Sequence, residues 1–501
     1  MKKLLIVLVA LGMVSCFENK NNQPKVETTS GVVCGKTSLD GSVEMFLGIP
    51  FAEPPIGDLR FSAPKPIQKR QKEISCVDMP ASPMQYPPNT FECWDMNFQI
   101  PPSPISEDCL YLNIFKPKNV AENEKLPVFV WIHGGGFTSG SGTLPLYSGE
   151  NFVKNNVIYV SINYRIGIFG FFAHPDLSKE SKEGISGNYG ILDQIEALKW
   201  INENIEKFSG DKNNITIAGQ SAGAYSVNAL MVSPKAKGLF QKAVLLSGGF
   251  LSKNPMFCFS KSDGENFGKQ FAESHSLTID KMRKMSADSL LSLNFYPANM
   301  IVDEKVICNP RQVFLSGQQN CKIIICGYTE TDGVNFQKYL NKEDYVKAAC
   351  LRENVPANDF LKFFPAENDS QAFNSQKVYN RLNGFGFESW LLAKMNAESG
   401  GKSYMYMFYR KFQDEKKYGV FHSTDLAYFL DNLSAVNRNL NESDYKLKDY
   451  IQKSLKSFLY DSKIPDWLPF DTENPKVMRL DSVSKPTDFV DLEQCKFLER
   501  M

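Results

Sequence analysis

The feature that most constrains this chain is a five-residue turn, Gly219-Gln220-Ser221-Ala222-Gly223. Ile215-Thr216-Ile217-Ala218 before it reads as a short buried strand, and a helical pattern starts at Ala222. A strand that becomes a helix over so few residues is strained. Glycine two positions either side of the serine relieves the turn and lets strand and helix approach closely. Such an elbow presents the Ser221 hydroxyl at the C-terminal edge of a sheet. It also sets the serine at a helix N-terminus, whose dipole favours developing negative charge.

An elbow needs a sheet. Val32-Val33 and Val43 to Phe46 suggest short antiparallel N-terminal strands. Leu110–Phe115, Leu126–Ile132, Val157–Asn163, Ala243–Leu246, Lys322–Cys326 and Ser403–Phe412 read as further strands. From Gly190 to Phe208, Ile191, Leu192, Ile195, Leu198, Ile201 and Ile205 recur at helical spacing. Strands alternating with helices predict an α/β fold, a large mostly parallel sheet with helices on both faces. Residues 252–320 and 334–400 are helix-rich and read as insertions over the sheet edge. Residues 31–501 are expected to form a single catalytic domain.

Composition removes several function classes. Hydrophobic residues make up 43% of the chain, enough for a large core. Lys and Arg total 56, as do Asp and Glu, so no global basic field exists to hold nucleic acid. Met1-Lys2-Lys3 and the apolar run Leu4 to Val14 read as a signal peptide over residues 1–15. Met13-Val14-Ser15-Cys16 resembles a bacterial lipobox, which makes Cys16 the lipid acceptor and the N-terminus a membrane anchor. Residues 16–30 read as a polar tether. The other ten cysteines are scattered without a CxxC pair, which argues against a zinc ribbon. Cys321 and Cys326 fall on opposite faces of one strand and are not expected to pair.

A second motif, His133-Gly134-Gly135-Gly136-Phe137, follows the strand that ends at Ile132. Three glycines leave backbone N–H groups free to face a cleft, as an oxyanion hole requires. His133 is expected to brace that loop. A serine elbow needs a histidine base later in the chain, after an acid. Of the four histidines, His275 and His422 lie after Ser221, and His275 sits in a polar stretch. The order selects His422. The acid should follow a strand, and Glu330 or Asp332, just past Lys322–Cys326, fits on position.

Several segments carry a resemblance. Glu107-Asp108-Cys109-Leu110-Tyr111-Leu112-Asn113-Ile114, Gly187-Asn188-Tyr189-Gly190-Ile191-Leu192-Asp193-Gln194 and Phe208-Ser209-Gly210-Asp211 are similar to signatures of the type-B carboxylesterase family. So are the His-Gly-Gly-Gly-Phe and Gly-x-Ser-Ala-Gly motifs. The resemblance implies an α/β-hydrolase fold and carboxylic ester hydrolysis without metal or organic cofactor. It places the nucleophile on Ser221 and the base on His422. It places oxyanion donors on Gly135, Gly136 and Ala222, with Ser247 supporting the acid. The family's acid stands directly before a glycine, which favours Asp332, before Gly333, over Glu330. The expected partner is a small neutral ester; lipid or amide substrates would use the same machinery. An adhesion-type member of the fold would lack the serine or the histidine, and this chain has both. The residue before the nucleophile, often Glu in the family, is neutral Gln220 here. The family's cysteine partner for Cys109 aligns with Ser82, so any disulfide at Cys109 would use Cys93 or Cys76, Cys93 being nearer. Trp94 does not match the spacing of the family's cationic-alcohol site.

Overall fold

The strand Leu126–Ile132 shows how the sequence builds the centre of the molecule. All seven of its residues are buried. Val128, Val130 and Ile132 join one hydrophobic cluster, and Phe129 and Trp131 join another. Successive side chains of a strand point to opposite faces, so a strand covered on both sides reads as an unbroken apolar run. The computed structural model describes residues 23–87, 90, 93, 94, 104–253, 255–333, 339–352 and 355–501. Residues 1–15, read as a signal peptide, and Cys16 lie outside the described residues.

An 11-stranded sheet organises the chain. From one edge its order is Lys485–Asp488, Lys476–Leu480, Lys402–Phe408, Ile323–Thr329, Lys242–Leu246, Gly210–Gln220, Leu126–Ile132, Ile158–Ile162, Tyr111–Pro117, Val43–Pro50 and Lys36–Thr37. The run from Lys476–Leu480 to Ile158–Ile162 is parallel throughout. Antiparallel strands close both edges. The helix Tyr189–Asn204 covers one face through Ile191, Ile195, Leu198 and Ile201. The helix Glu442–Asp461 covers the other through Leu447, Ile451, Leu455 and Phe458. Asn441 caps that helix in a capping box with Asp444, which satisfies two end donors reciprocally.

Several boundaries differ from the sequence reading: the strand read as Val43 to Phe46 runs on to Pro50, and the one read as Lys322–Cys326 runs on to Thr329. Lys25–Thr28 is a strand paired with Gly31–Cys34, so regular structure starts inside the stretch read as a tether. Val26 and Thr28 are β-branched, and the Thr28 hydroxyl donates to the Gly31 carbonyl at 2.6 Å to close the hairpin. The elbow strand begins at Gly210, five residues early, where polar Asp211 to Asn214 lie across a register shift against Leu126–Ile132. The strand expected to reach Phe412 ends at Phe408.

Two of the matched segments supply buried ion pairs. Asp193 accepts two bonds from the Arg165 guanidinium, at 2.6 and 2.8 Å, and a third from the Arg165 backbone N–H at 3.0 Å. Glu107 takes Arg60 in the same forked way, at 2.5 and 2.8 Å. Neither pair includes Ser221 or His422. Removing one partner of a buried pair strands the other charge, so these acids are structural.

Candidate active site

Close backbone approach makes the elbow. A Cβ added at Gly219 would lie 2.4 Å from the Gly223 carbonyl carbon, and one at Gly223 would lie 2.2 Å from the Ile132 carbonyl oxygen. No side chain fits at either position. Between them Ser221 takes φ 56° and ψ −128°, outside the ordinary regions for a residue with a Cβ. Its N–H donates to the Leu246 carbonyl at 2.9 Å, and its carbonyl accepts from the Tyr225 N–H at 3.0 Å. The turn is thereby fixed to the neighbouring strand and to the first turn of the helix Ala222–Val232. Ser221 is half-buried at the start of that helix.

The structure brings His422 and Asp332 together. His422 Nδ1 donates to Asp332 Oδ1 at 2.6 Å. Asp332 is fully buried. Its other oxygen accepts from the Ser247 hydroxyl at 2.6 Å and from the Thr329 N–H at 3.1 Å. Ser247 has φ 53° where the strand Lys242–Leu246 ends, and its own N–H is tied to the Gly327 carbonyl at 2.8 Å. Gly333, with φ 66°, lets the chain turn immediately after Asp332. Glu330 is drawn aside: its N–H continues the sheet by donating to the Phe408 carbonyl at 2.9 Å. Of the two acids open on position, Asp332 is the one that meets His422.

The glycine loop lies against the elbow. A Cβ at Gly134 would stand 3.2 Å from the Ser221 Cβ. Gly135 and Gly136 have φ of 115° and 59°, and the Gly135 carbonyl turns back to accept from the Ser139 N–H at 3.0 Å. Among the described residues, the N–H groups of Gly135, Gly136 and Ala222 make no hydrogen bond. Three unused donors beside a serine at a helix start can stabilise an oxyanion. His133 braces this loop, as expected. It is fully buried, stacks on Tyr164 at 4.3 Å, and has Nδ1 2.9 Å from the Gly134 carbonyl. Burial pushes its imidazole down to about 4, so it stays neutral. His275 is exposed on the surface, and His174 caps the short helix Pro175–Glu180.

Several neighbours of the pair escaped sequence reasoning. Phe385 stacks on the His422 ring at 4.4 Å. Trp94, set aside above on its spacing, meets that ring edge-on at 6.1 Å and donates to the His422 carbonyl at 3.3 Å. Phe257 meets Phe137 and Tyr225 edge-on, which makes an apolar wall beside the glycine loop. Asp425, three residues after His422, is buried, and burial pushes its carboxyl up to about 6, with the nearby Asp332 charge adding to the rise. The Tyr406 hydroxyl donates to it at 2.6 Å. The only advance signal for Phe385 was its flanking Gly384 and Gly386. Cys109 is a free, buried thiol, the alternative to a bond with Cys93 or Cys76; burial raises that thiol well above its usual range. Ser82 is buried against Thr143 at 3.4 Å, in the place aligned with the family's partner cysteine. Among the described residues no group of three or more His, Cys, Asp or Glu could hold a metal ion.

Residues 22–498 match the carboxylesterase family. The chain belongs to that family. It is 39% identical over 269 residues to the fumonisin B1 esterase of Sphingopyxis macrogoltabida, a stretch covering 53% of this chain and 48% of that protein. It is 40% identical over 262 residues to liver carboxylesterase 1F of Rattus norvegicus, covering 50% of this chain and 45% of that one. The matched stretch thus spans about half the length of these curated relatives. Against carboxylesterase 1C of Rattus norvegicus the likeness reaches further, at 30% identity over 80% of this chain and 78% of the relative. The solved structure of a PNB esterase superposes with a TM-score of 0.82 at 27% identity, over 95% of this chain and 99% of that chain. The fold is that of the α/β hydrolases.

One buried acid beside the elbow sets a pH dependence. Glu388 accepts from the Leu251 N–H at 2.7 Å and the Ser252 N–H at 3.2 Å, which ties a helix to the loop after Ser247. Burial pushes its carboxyl from 4.5 up to about 7. A raised folded value means that Glu388 contributes stability below its unfolded value, and that this is lost as pH rises to about 7. Glu388→Gln keeps an acceptor and removes the titration. Urea unfolding at pH 5 and pH 8 should show the wild type losing more stability between the two than the variant. Equal losses would assign the dependence to other groups.

Proposed function

We propose that the protein hydrolyses small neutral carboxylic esters through a Ser221–His422–Asp332 triad and an acyl-enzyme. The observation that carries this reading is the 2.6 Å bond from His422 to Asp332 at the rim of an elbow that holds Ser221. With Nδ1–H committed to Asp332, the neutral imidazole keeps its Nε2 lone pair as base. His422 takes the Ser221 proton as Oγ attacks the ester carbonyl. The oxyanion forms against the N–H groups of Gly135, Gly136 and Ala222, at the positive end of a helix. The imidazolium returns its proton to the leaving alcohol, and the same steps with water release the acid and free Ser221. Asp332 fixes the tautomer and stabilises the imidazolium, and Ser247 holds the Asp332 carboxylate in place. Membership of the carboxylesterase family and the esterase names of its relatives support the reaction class.

Two further parts of the reading rest on sequence. Gln220 puts an uncharged group beside the nucleophile, which favours neutral alcohols over quaternary ammonium ones. Residues 1–15 and Cys16 support export with a lipid anchor at the cell envelope. Mass spectrometry of the N-terminal peptide from the membrane fraction should find a diacylglyceryl Cys16; an unmodified peptide in the soluble fraction would refute the anchor.

With a chromogenic acyl ester, Ser221→Ala should leave less than a few per cent of activity in a folded protein. Asp332→Asn should cost about 10⁴ in kcat, whereas Glu330→Gln should stay near wild type. Circular dichroism checks folding in each case. A crippled Glu330→Gln beside an active Asp332→Asn would move the acid two residues along the chain. A choline ester should also show a lower kcat/KM than its uncharged isostere; the reverse order would contradict the neutral-ester preference.

A further inference from the structure

Gln220 lies at the end of the elbow strand and is only 3% exposed, so its side chain is confined to the interior. Its amide nitrogen stands 2.9 Å from His422 Nε2 and 3.4 Å from Nδ1. A donor aimed along the Nε2 lone pair would lie in the ring plane, beyond Nε2 and far from Nδ1. Near-equal distances instead place the amide nitrogen over the face of the ring, an N–H against a π surface. The in-plane lone pair of Nε2 therefore stays open for the serine proton. The amide oxygen lies toward the glycine loop, 3.2 Å from where a Gly134 Cβ would be.

We infer that Gln220 is a positioning residue that holds the His422 ring by its face and, through the direction of its amide dipole, sets the cost of charging that ring. This rests on the triad reading above. The positive N–H end over the ring favours neutral imidazole, the form that accepts the Ser221 proton. Once the ring is charged, a half-turn of the terminal torsion, which is soft and two-fold, brings the carbonyl oxygen over the imidazolium. A carboxylate at this position would carry a fixed negative charge and favour the imidazolium before any substrate arrives. Among the described residues, the charged and titratable groups facing His422 are Asp332 from the turn after the strand Ile323–Thr329, and Asp425 from its own segment with Tyr406 bonded to it. Phe385 and Trp94 complete the surround and carry no charge. Gln220 is thus the neighbour whose polarity can reverse without a proton.

The test compares Gln220→Glu and Gln220→Met with wild type, using a neutral p-nitrophenyl ester from pH 5 to 9. Phosphorylation by a chromogenic organophosphate counts the working sites, so misfolded protein does not enter the rates. Gln220→Glu should move the acid limb of kcat/KM up by about one pH unit. Gln220→Met, which fills the space without a dipole, should move the limb by less than Gln220→Glu does and lower kcat about tenfold at unchanged KM. Unmoved limbs in both variants, or a Met variant with full kcat per working site, would overturn the role of Gln220. Ser221→Ala runs in the same assay. Turnover surviving there would overturn the triad itself, whereas an inactive Ser221→Ala beside unmoved limbs would remove Gln220 alone.

Discussion

Everything at this site depends on the contact between Gly219 and Gly223. A backbone that takes φ 56° and ψ −128° at a serine is unfavourable by about 1–3 kcal/mol, so the surroundings must over-determine it. They do so from three sides. The Leu246 carbonyl holds the Ser221 N–H, the Tyr225 N–H holds its carbonyl, and the Ile132 carbonyl leaves no room for a side chain at Gly223. Each of these groups belongs to a different central element. Ile132 ends the strand that leads into the glycine loop, and Leu246 ends the strand that leads into Ser247. One strained turn therefore puts the hydroxyl, the unused N–H donors and the support of the acid in register. Because parallel strands end on the same edge, the sheet supplies this coincidence directly.

Burial of charge is the second constraint. Asp332 is wholly buried and has three donors on its two oxygens. A buried carboxylate without such partners would be costly. Asp425 and Glu388 are also buried, and burial raises both toward neutrality. Asp332 differs from them in its partner, since one of its three donors is the His422 imidazole. His133 follows the same rule with opposite sign, since burial without a charged partner keeps it neutral and structural.

How much of this could be read in the chain differs by interaction range. The elbow, the glycine loop and the parallel strands were legible because each is a local pattern with a backbone reason: glycine where no Cβ fits, unbroken apolar runs where both faces are covered. Asp332 was separable from Glu330 through the family resemblance, whose acid stands directly before a glycine as Asp332 stands before Gly333. The early start of the strand Gly210–Gln220 was hidden because Asp211 to Asn214 are polar and pair only through a register shift. Phe385 and Phe257 were hidden for another reason. Their packing depends on where inserted segments fold back over the sheet, and an aromatic in such a segment looks the same whether it lines the site or the far side of a helix. The free Cys109 belongs here too, since a buried thiol and half of a disulfide have the same local sequence.

The irregular segment around Phe385 shows how an insertion is held to the chemistry without altering it. Leu382–Gly386 breaks the regular helix, with Gly384 at φ 106°. The Gly384 carbonyl, freed from the helix ladder, accepts from the Tyr225 hydroxyl at 2.7 Å. Tyr225 stands four residues after Ser221, one turn along the elbow helix. In the next residue Phe385 reaches the His422 ring. Two residues further on from Gly386, Glu388 takes the backbone of Leu251 and Ser252. A single break in one helix thus contacts the elbow helix, the base and the loop after Ser247. π-type irregularities cost hydrogen bonds and persist where the freed groups find other partners. Here the partners are the elements that carry the triad, so the helix is irregular at the point where it meets them.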